Sequence, residues 1–262
     1  MDLMDGMLSW AVRAACMLVL VCAHGPASAI VGGRLVAAGE DRAAWVVAIH
    51  KSGFLRFFGE RDCTGVFIAP HAVLTAAHCV SGTGTDGAAV SIRIGGIRPS
   101  HESRSMRVDR VVIHPGYAQP EEGLGRHDVA LLRTVEPKPA GIRMFTVNED
   151  RQPLALPHTY AVLGYGADEA VTGAFGLGVL RIAETSITRE YKTLLESDQR
   201  AGGICRGDSG GPLVEIRGAE LVSIGISHAI GQGPNPDRCR NQGFYMKTSA
   251  YADWIARVVA TF

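Results

Sequence analysis

The sequence lacks a net charge and contains few aromatic residues. Lys plus Arg and Asp plus Glu number 26 each in 262 residues, and aromatic side chains make up 6 % of the chain. Because a basic excess is missing, we expect no nucleic-acid or other polyanionic partner. The apolar fraction of 47 % is still large enough to build a substantial hydrophobic core.

A hydrophobic run long enough to cross a membrane is also missing at the N-terminus. The apolar run AACMLVLVCA at 14–23 follows Arg13 and ends shortly before the small-residue triplet at 27–29. A membrane helix needs about 20 apolar residues, whereas a shorter run ending near small residues is typical of a secretory signal peptide. The sequence therefore predicts a signal peptide at 1–29 and a secreted or periplasmic mature chain at 30–262, without membrane contact after cleavage.

Cysteine spacings typical of metal sites are absent as well. Cys16 and Cys22 lie in the predicted signal peptide, which leaves four cysteines in the mature chain. These four are Cys63, Cys79, Cys205 and Cys239. An even number in an exported chain favours disulfides, and no CxxC pair indicates zinc. Four cysteines allow three pairings, and the residues alone do not select one of them.

Long helical patterns are scarce, whereas the 32 glycines suit tight turns between short strands. Short β-type runs recur along the mature chain, usually separated by Gly, Pro, Asp or Asn. They lie at 45–49, 65–68, 72–74, 90–94, 108–113, 129–132, 159–163, 180–184, 211–214, 221–226 and 243–246. This spacing predicts an all-β sandwich or barrel architecture.

One helical pattern closes the sequence. In SAYADWIARVVATF at 249–262, apolar side chains recur at three- and four-residue spacing from Tyr251 to Phe262. This spacing places them on one face of a helix, and Ser249 is positioned to cap its N-terminus. We expect the helix to pack on the β structure.

Three motifs contain the residue types of nucleophilic hydrolysis: LTAAHC at 74–79, HDVALL at 127–132 and GDSGGP at 207–212. A fourth segment, IVGG at 30–33, follows the predicted cleavage site. A serine hydroxyl is a weak nucleophile at neutral pH and needs a histidine to accept its proton. Taken singly, each motif also fits a structural loop or turn. Their order, His then Asp then Ser, in an exported chain favours catalysis.

With these motifs the sequence resembles the chymotrypsin-type (trypsin-like) serine endopeptidases, from Ile30 to the C-terminal helix. The resemblance implies that Ser209 attacks the scissile carbonyl, that His78 acts as general base and acid, and that Asp128 orients the imidazole. It also implies an oxyanion hole formed by the backbone N–H groups of Gly207 and Ser209. The implied reaction is hydrolysis of peptide bonds through an acyl-enzyme.

The same resemblance implies an all-β fold of two packed, six-stranded Greek-key barrels with a C-terminal α-helix. The protease domain at 30–262 would divide into a first barrel at about 30–140 and a second at about 141–262, with the active site in the cleft between them. It also implies two disulfide bonds, Cys63–Cys79 and Cys205–Cys239.

An activation step is implied by IVGG. In the family, the freed amino group of the first mature residue turns inward and pairs with the carboxylate before the catalytic serine, here Ile30 and Asp208. Ala29 is neither Lys nor Arg, so we expect signal peptidase itself to generate Ile30. An earlier cut after Ala23, which would leave a propeptide at 24–29, stays open.

Substrate preference is predicted from the pocket positions that the resemblance indicates. These positions are Gly203, Ile204, Ser227, His228, Ala229 and Gly243. Trypsins carry an Asp where this chain has Gly203, so that position offers no carboxylate to Lys or Arg; a basic residue is the least favoured, with Asp237 as the one nearby carboxylate that could reach the pocket. Ile204 is bulky and apolar and Ala229 narrows the slot, which favours small or medium aliphatic residues before the scissile bond, as in elastases. A chymotrypsin-like preference for aromatic residues is the second interpretation.

The expected partners are protein or peptide substrates and protein protease inhibitors, and we expect a monomer. Family members that bind calcium carry several acidic residues in the stretch matching 95–106, where Glu102 is the only acidic residue. We therefore expect no metal and no cofactor. The alternatives are a non-catalytic binding protein on the same fold and an esterase that prefers non-peptide esters.

Overall fold

The computed structural model describes residues 30–37, 39–51, 63–95, 104–118, 124–167 and 178–262. The predicted signal peptide at 1–29 and most of the stretch compared with calcium loops lie outside the described residues. None of the helices in these ranges is long and apolar enough to span a bilayer.

The described residues form short strands and two short α-helices. The strands are β1 (Arg34–Leu35), β2 (Val47–Lys51), β3 (Cys63–Ala69), β4 (Ala72–Thr75), β5 (Val90–Ile94), β6 (Arg104–Ile113), β7 (Ala130–Thr134), β8 (Thr146–Val147), β9 (His158–Gly164), β10 (Arg181–Glu190), β11 (Leu194–Asp198), β12 (Pro212–Arg217), β13 (Glu220–Ile230) and β14 (Gln242–Lys247). The helices are α1 (Ala77–Val80) and α2 (Ala252–Val259). All eleven β-type runs read from the sequence overlap a strand, which confirms the all-β prediction.

The strands build two closed six-stranded barrels. In the first, antiparallel pairing runs in the order β2, β3, β4, β7, β6, β5 and returns to β2. In the second it runs β9, β10, β11, β14, β13, β12 and returns to β9. Closure removes the free edges that open sheets expose, and it confirms the predicted two-barrel fold.

Side-chain alternation explains how the strands close around two interiors. Along β10 every second residue from Arg181 to Ile187 is buried, as expected for a strand with one face inside. The most buried side chains of the first barrel include Leu74, Ile92 and Leu131. The apolar cluster of the first barrel continues onto strands of the second, which also has a separate cluster that includes Ile187.

The two chain ends cross between the barrels. β1 pairs with β10, so the first strand of the described chain lies on the second barrel. At the other end, Trp254 and Phe262 pack against the core of the first barrel, and the Arg110 guanidinium donates to Thr261 Oγ1 at 3.0 Å. The predicted C-terminal helix is thus confirmed as α2. The predicted cap is wrong, because Ser249 lies in a preceding 3-10 turn and Tyr251 occupies the N-cap position.

Candidate active site

His78 and Asp128 meet at the edge of the first barrel. His78 lies in α1 directly after β4, and Asp128 immediately precedes the Val129 that leads into β7. Asp128 Oδ2 is 2.6 Å from His78 Nδ1, and Asp128 Oδ1 accepts from the His78 backbone N–H at 2.7 Å. Because an ionised carboxylate only accepts hydrogen bonds, Nδ1 carries the proton in this contact and Nε2 is left as the basic nitrogen.

A second histidine approaches the same carboxylate from the other barrel. His228 lies at an irregularity of β13, between Ser227 and Ala229, and its Nδ1 is 2.6 Å from Asp128 Oδ2. Burial alone would raise the pKa of Asp128, but the hydrogen bonds from His228 and His78 outweigh it and hold the pKa well below its usual value. Asp128 is therefore an ionised group in a buried place. The sequence predicted His228 as a pocket residue and gave no sign of its contact with Asp128.

Ser209 lies in the loop between β11 and β12, close to His78. The Cys79 Sγ atom is 3.7 Å from the Ser209 carbonyl oxygen and 3.8 Å from His78 Nε2. Within the described part of the chain, no hydrogen bond joins the Ser209 hydroxyl to His78. The structure thus brings all three predicted triad residues close together, although the Ser209 hydroxyl is not hydrogen-bonded to His78.

Thr64 of β3 anchors the loop that carries Ser209. Its backbone N–H donates to the Ser209 carbonyl at 2.8 Å, and its hydroxyl donates to the Gly207 carbonyl at 3.2 Å. Gly207 has a φ of 94°, a conformation that glycine adopts without strain. Neither the Gly207 N–H nor the Ser209 N–H donates to another residue in the described ranges. Both predicted oxyanion donors are therefore available to a bound group.

Asp208 lies beneath this loop and is completely buried. Its carboxylate accepts backbone hydrogen bonds from Cys205 and Gly166, both at 2.8 Å. Burial raises the pKa of Asp208 to about 7, although these two N–H groups and the charge of Arg181 act in the opposite direction. This value belongs to a chain in which residue 30 is still joined to residue 29.

Ile30, the predicted partner of Asp208, is also completely buried. The neighbouring Val31 forms an antiparallel bridge with Gly203, which places this segment against the loop between β11 and β12. Since the structure contains no free amino group at Ile30, the predicted ion pair stays a prediction. The burial of both partners is compatible with it.

A pocket of about 190 Å³ opens next to Ser209. It is lined by Ile204, Cys205, Arg206, Ser209, His228, Ala229 and Ile230. Three predicted pocket residues, Ile204, His228 and Ala229, thus lie at its surface. The other three, Gly203, Ser227 and Gly243, are buried and do not line it.

The two predicted disulfides are present. The Cys63–Cys79 bond joins β3 to α1 next to His78, and the Cys205–Cys239 bond joins a pocket residue to the loop before β14. The first bond tethers the residue next to His78, and the second tethers Cys205 in the pocket wall.

Two clusters in the described ranges contain several metal-ligating side chains. Cys63 and Cys79 are consumed by their disulfide, so the cluster that they form with His78 does not offer thiolates. The second cluster consists of His78, Asp128 and His228, whose ligand atoms lie within 4.8 Å of one another. Their two 2.6 Å N···O contacts have the length of charge-assisted hydrogen bonds, so N–H donation to the carboxylate accounts for this geometry.

Comparison with known proteins identifies the family to which most of this chain is similar. Residues 30–255 match the family model described as Trypsin. "Vitamin K-dependent protein C" of Mus musculus is 27 % identical over 224 residues, which cover 74 % of this chain and 45 % of that protein. "Serine protease filzig" of Drosophila melanogaster is 30 % identical over an alignment of 268 residues, gaps included, and the alignment covers 90 % of this chain and 15 % of that protein. The chain thus spans less than half the length of either relative.

Proposed function

This chain belongs to the trypsin family, and from that premise we propose that it is a secreted serine endopeptidase. The reaction is peptide-bond hydrolysis through an acyl-enzyme on Ser209. The observation that carries the proposal is the 2.6 Å contact between His78 Nδ1 and Asp128 Oδ2 beside Ser209. It leaves the second imidazole nitrogen free to take a proton from a hydroxyl group.

The first half of the reaction begins when substrate binds and the Ser209 hydroxyl donates a hydrogen bond to His78 Nε2. The hydroxyl proton moves to His78 Nε2 as Ser209 Oγ attacks the scissile carbonyl carbon. Asp128 keeps the ring oriented and stabilises the imidazolium by its negative charge. The Nε2 proton then passes to the leaving amine, the C–N bond breaks, and the acyl group stays on Ser209.

The negative charge on the carbonyl oxygen is stabilised by the N–H groups of Gly207 and Ser209. Removal of one such donor costs about 3–4 kcal/mol in the barrier of related chemistry. The hydrogen bonds from Thr64 to the carbonyls of Gly207 and Ser209 support this assignment, because they hold the donor loop before substrate arrives.

The second half of the reaction releases the acyl group. Water gives a proton to His78 Nε2 and attacks the ester carbonyl, and the oxyanion is stabilised by the same two N–H groups. The Nε2 proton returns to Ser209 Oγ as the ester bond breaks. The enzyme regains its starting protonation state, and neither a metal nor a cofactor takes part.

Activation rests on the amino group of Ile30. Cleavage after Ala29 gives this residue an α-ammonium, which pairs with Asp208 and supplies the positive charge that a buried carboxylate requires. The full burial of Asp208 and Ile30 supports this proposal. An uncut chain lacks the ammonium and is inactive.

We extend the proposal to substrate class, location and domain division. The small pocket and the absence of a carboxylate at Gly203 favour small or medium aliphatic residues before the scissile bond. Residues 1–29 act as signal peptide, and the barrels divide near residue 140, between β7 and β8. The mature chain acts outside the cytoplasm on proteins or peptides, as a monomer open to protein inhibitors.

Labelling by a fluorophosphonate probe tests the central claim, because only an activated serine reacts with it. We expect labelling of the secreted wild-type chain and none of Ser209→Ala, alongside cleavage of peptide substrates by the wild type only. A chain that binds peptides but is not labelled would instead be a non-catalytic binding protein. Cleavage of esters without cleavage of peptides would identify an esterase.

A further inference from the structure

A buried glutamine lies behind the small pocket, at the end of the strand that leads to it. Gln199 directly follows β11, and its side chain is completely buried. Its Nε2 donates to the carbonyls of Ile204 at 3.0 Å and Cys239 at 2.9 Å, and its Oε1 accepts from the Ile204 N–H at 2.7 Å. Three hydrogen bonds therefore hold this side chain in one orientation.

Two glycines leave the space that this side chain occupies. A Cβ atom added to Gly203 would lie 2.2 Å from Gln199 Oε1, and a Cβ added to Gly243 would lie at the same distance of 2.2 Å from it. Neither glycine has a positive φ, so space and not backbone conformation explains the missing side chains. Gln199 thus occupies the space that side chains at positions 203 and 243 would otherwise need.

The filled volume lies directly behind a wall of the pocket. Ile204 lines the pocket next to Ser209 and is bonded to the Gln199 amide through both its N–H and its carbonyl. Both Nε2 protons of Gln199 are used by carbonyl groups, so the amide offers no free donor to a substrate. Gln199 therefore adds volume behind Ile204 and contributes neither a charge nor an unused hydrogen-bond donor there.

We propose that Gln199 is a specificity-determining residue that sets the depth of the pocket. Its volume closes the space between Gly203 and Gly243, and its three hydrogen bonds keep that volume in place behind Ile204. The residue before the scissile bond is thereby limited to a small or medium aliphatic side chain. This inference rests on the proposed peptidase function and names the residue responsible for its substrate class.

The test compares the secreted wild-type chain with Gln199→Ala, Gln199→Met and the exposed control Gln152→Ala. Kinetics are measured on matched peptides with Ala, Val, Phe or Arg before the scissile bond, with active sites counted by fluorophosphonate. In Gln199→Ala the ratio of kcat/KM for Ala over Phe should fall by at least about tenfold, chiefly through a lower KM for Phe. Gln199→Met fills a similar volume and should keep the ratio within about threefold of the wild type, as should Gln152→Ala.

Two results would overturn the proposal. One is a wild-type chain that cleaves the Phe or Arg peptide better than the Ala peptide, a result that does not depend on how any variant folds. The other is a Gln199→Ala chain with the wild-type ratio, or a Gln199→Met chain that matches Gln199→Ala. Failure of catalysis itself is recognised separately, by a wild-type chain without fluorophosphonate labelling. In that case calorimetry can still measure the binding of product peptides that end in Ala or Phe. The preference of the wild type for Ala over Phe should again fall in Gln199→Ala.

Discussion

The Nδ1 atom of His228 lies 2.6 Å from Oδ2 of Asp128, the same oxygen that His78 Nδ1 contacts at 2.6 Å. His78 and Asp128 stand on the first barrel, whereas His228 stands on β13 of the second. One carboxylate oxygen therefore accepts from both halves of the molecule. The proposed catalytic aspartate also acts as a hydrogen-bonded link across the cleft.

Replacement of His228 by Ala should make the protein more sensitive to acid. Asp128 has a pKa below its usual value, so its contribution to stability is present above the unfolded value of 3.8 and is lost as pH falls through the lower folded value. Without the hydrogen bond from His228, the effect of burial is opposed less strongly and the pKa of Asp128 in the folded chain rises. Acid unfolding followed by circular dichroism should move to higher pH, with a loss at neutral pH of about 1.5–3 kcal/mol.

The matched control for this experiment is His158→Ala, since His158 is exposed and belongs to the second barrel. Its acid transition should coincide with that of the wild type. An unchanged transition in His228→Ala would show that the contact with Asp128 does not stabilise the carboxylate.

Removal of the proposed nucleophile or base should abolish turnover without unfolding the chain. We expect Ser209→Ala and His78→Ala each to lower kcat by about 10⁴-fold or more, because the serine and its base act as a unit. The double variant should lose little more than either single variant. Equal thermal unfolding of wild type and Ser209→Ala serves as the control, and roughly additive losses would argue against a shared proton transfer.

The fold could be predicted largely because β-type alternation and turn residues are local signals. The run at 90–94, VSIRI, alternates apolar and polar side chains and forms β5, and the run at 159–163, TYAVL, is mostly apolar and lies in β9. β11 escaped this reasoning, because its sequence LLESD ends in polar residues that look like a loop. Those polar groups have partners inside the fold: Ser197 Oγ donates to the Gly243 carbonyl, and Glu196 accepts from Tyr191.

The sequence predicted those site residues that lie in a local motif. It did not predict the contacts that form between distant segments of the chain. His78, Asp128 and Ser209 each stand in a recognisable segment, and the structure brings them together. The contact of His228 with Asp128 spans 100 residues, and Gln199 follows the strand that the sequence failed to reveal. No local pattern encodes such pairings, since they arise only when the second barrel closes.

A free amino group at Ile30 should be required for activity. The ordinary pKa of an α-amino group is about 7.7–8.0, and pairing with Asp208 raises it. Its contribution is therefore complete below that range and is lost as pH rises through the folded value, so kcat/KM should fall at alkaline pH. Addition of one Gly before Ile30 should reproduce this loss at neutral pH, because it moves the ammonium away from Asp208.

N-terminal sequencing of the secreted chain accompanies that experiment. A start at Ile30 agrees with direct cleavage by signal peptidase, whereas a start at His24 would show that a six-residue segment is removed later. Full activity at pH 11, or in the chain with the added Gly, would rule out the proposed activation step.

Asp208→Asn should remove a pH dependence from the uncut chain and should destabilise the cut chain. In the uncut chain, burial raises the folded pKa of Asp208 from 3.8 to about 7. A group with a raised folded pKa binds its proton more tightly when folded, so stability is lost as pH rises from the unfolded to the folded value. Each unit of difference corresponds to about 1.4 kcal/mol, so the uncut chain should lose more than about 1 kcal/mol between pH 4 and pH 8.

Urea unfolding in a Ser209→Ala background measures this loss without self-digestion. An Asn at position 208 does not ionise, so the uncut Asp208→Asn chain should lack that part of the pH dependence. Its absolute stability is a poor guide, because an Asn can accept only one of the hydrogen bonds from Cys205 and Gly166. In the cut chain the same substitution also leaves the Ile30 ammonium without a counter-charge, so the loss of stability should exceed that in the uncut chain by about 3–5 kcal/mol. If the substitution destabilised the cut chain no more than the uncut chain, the ammonium would not be paired with Asp208.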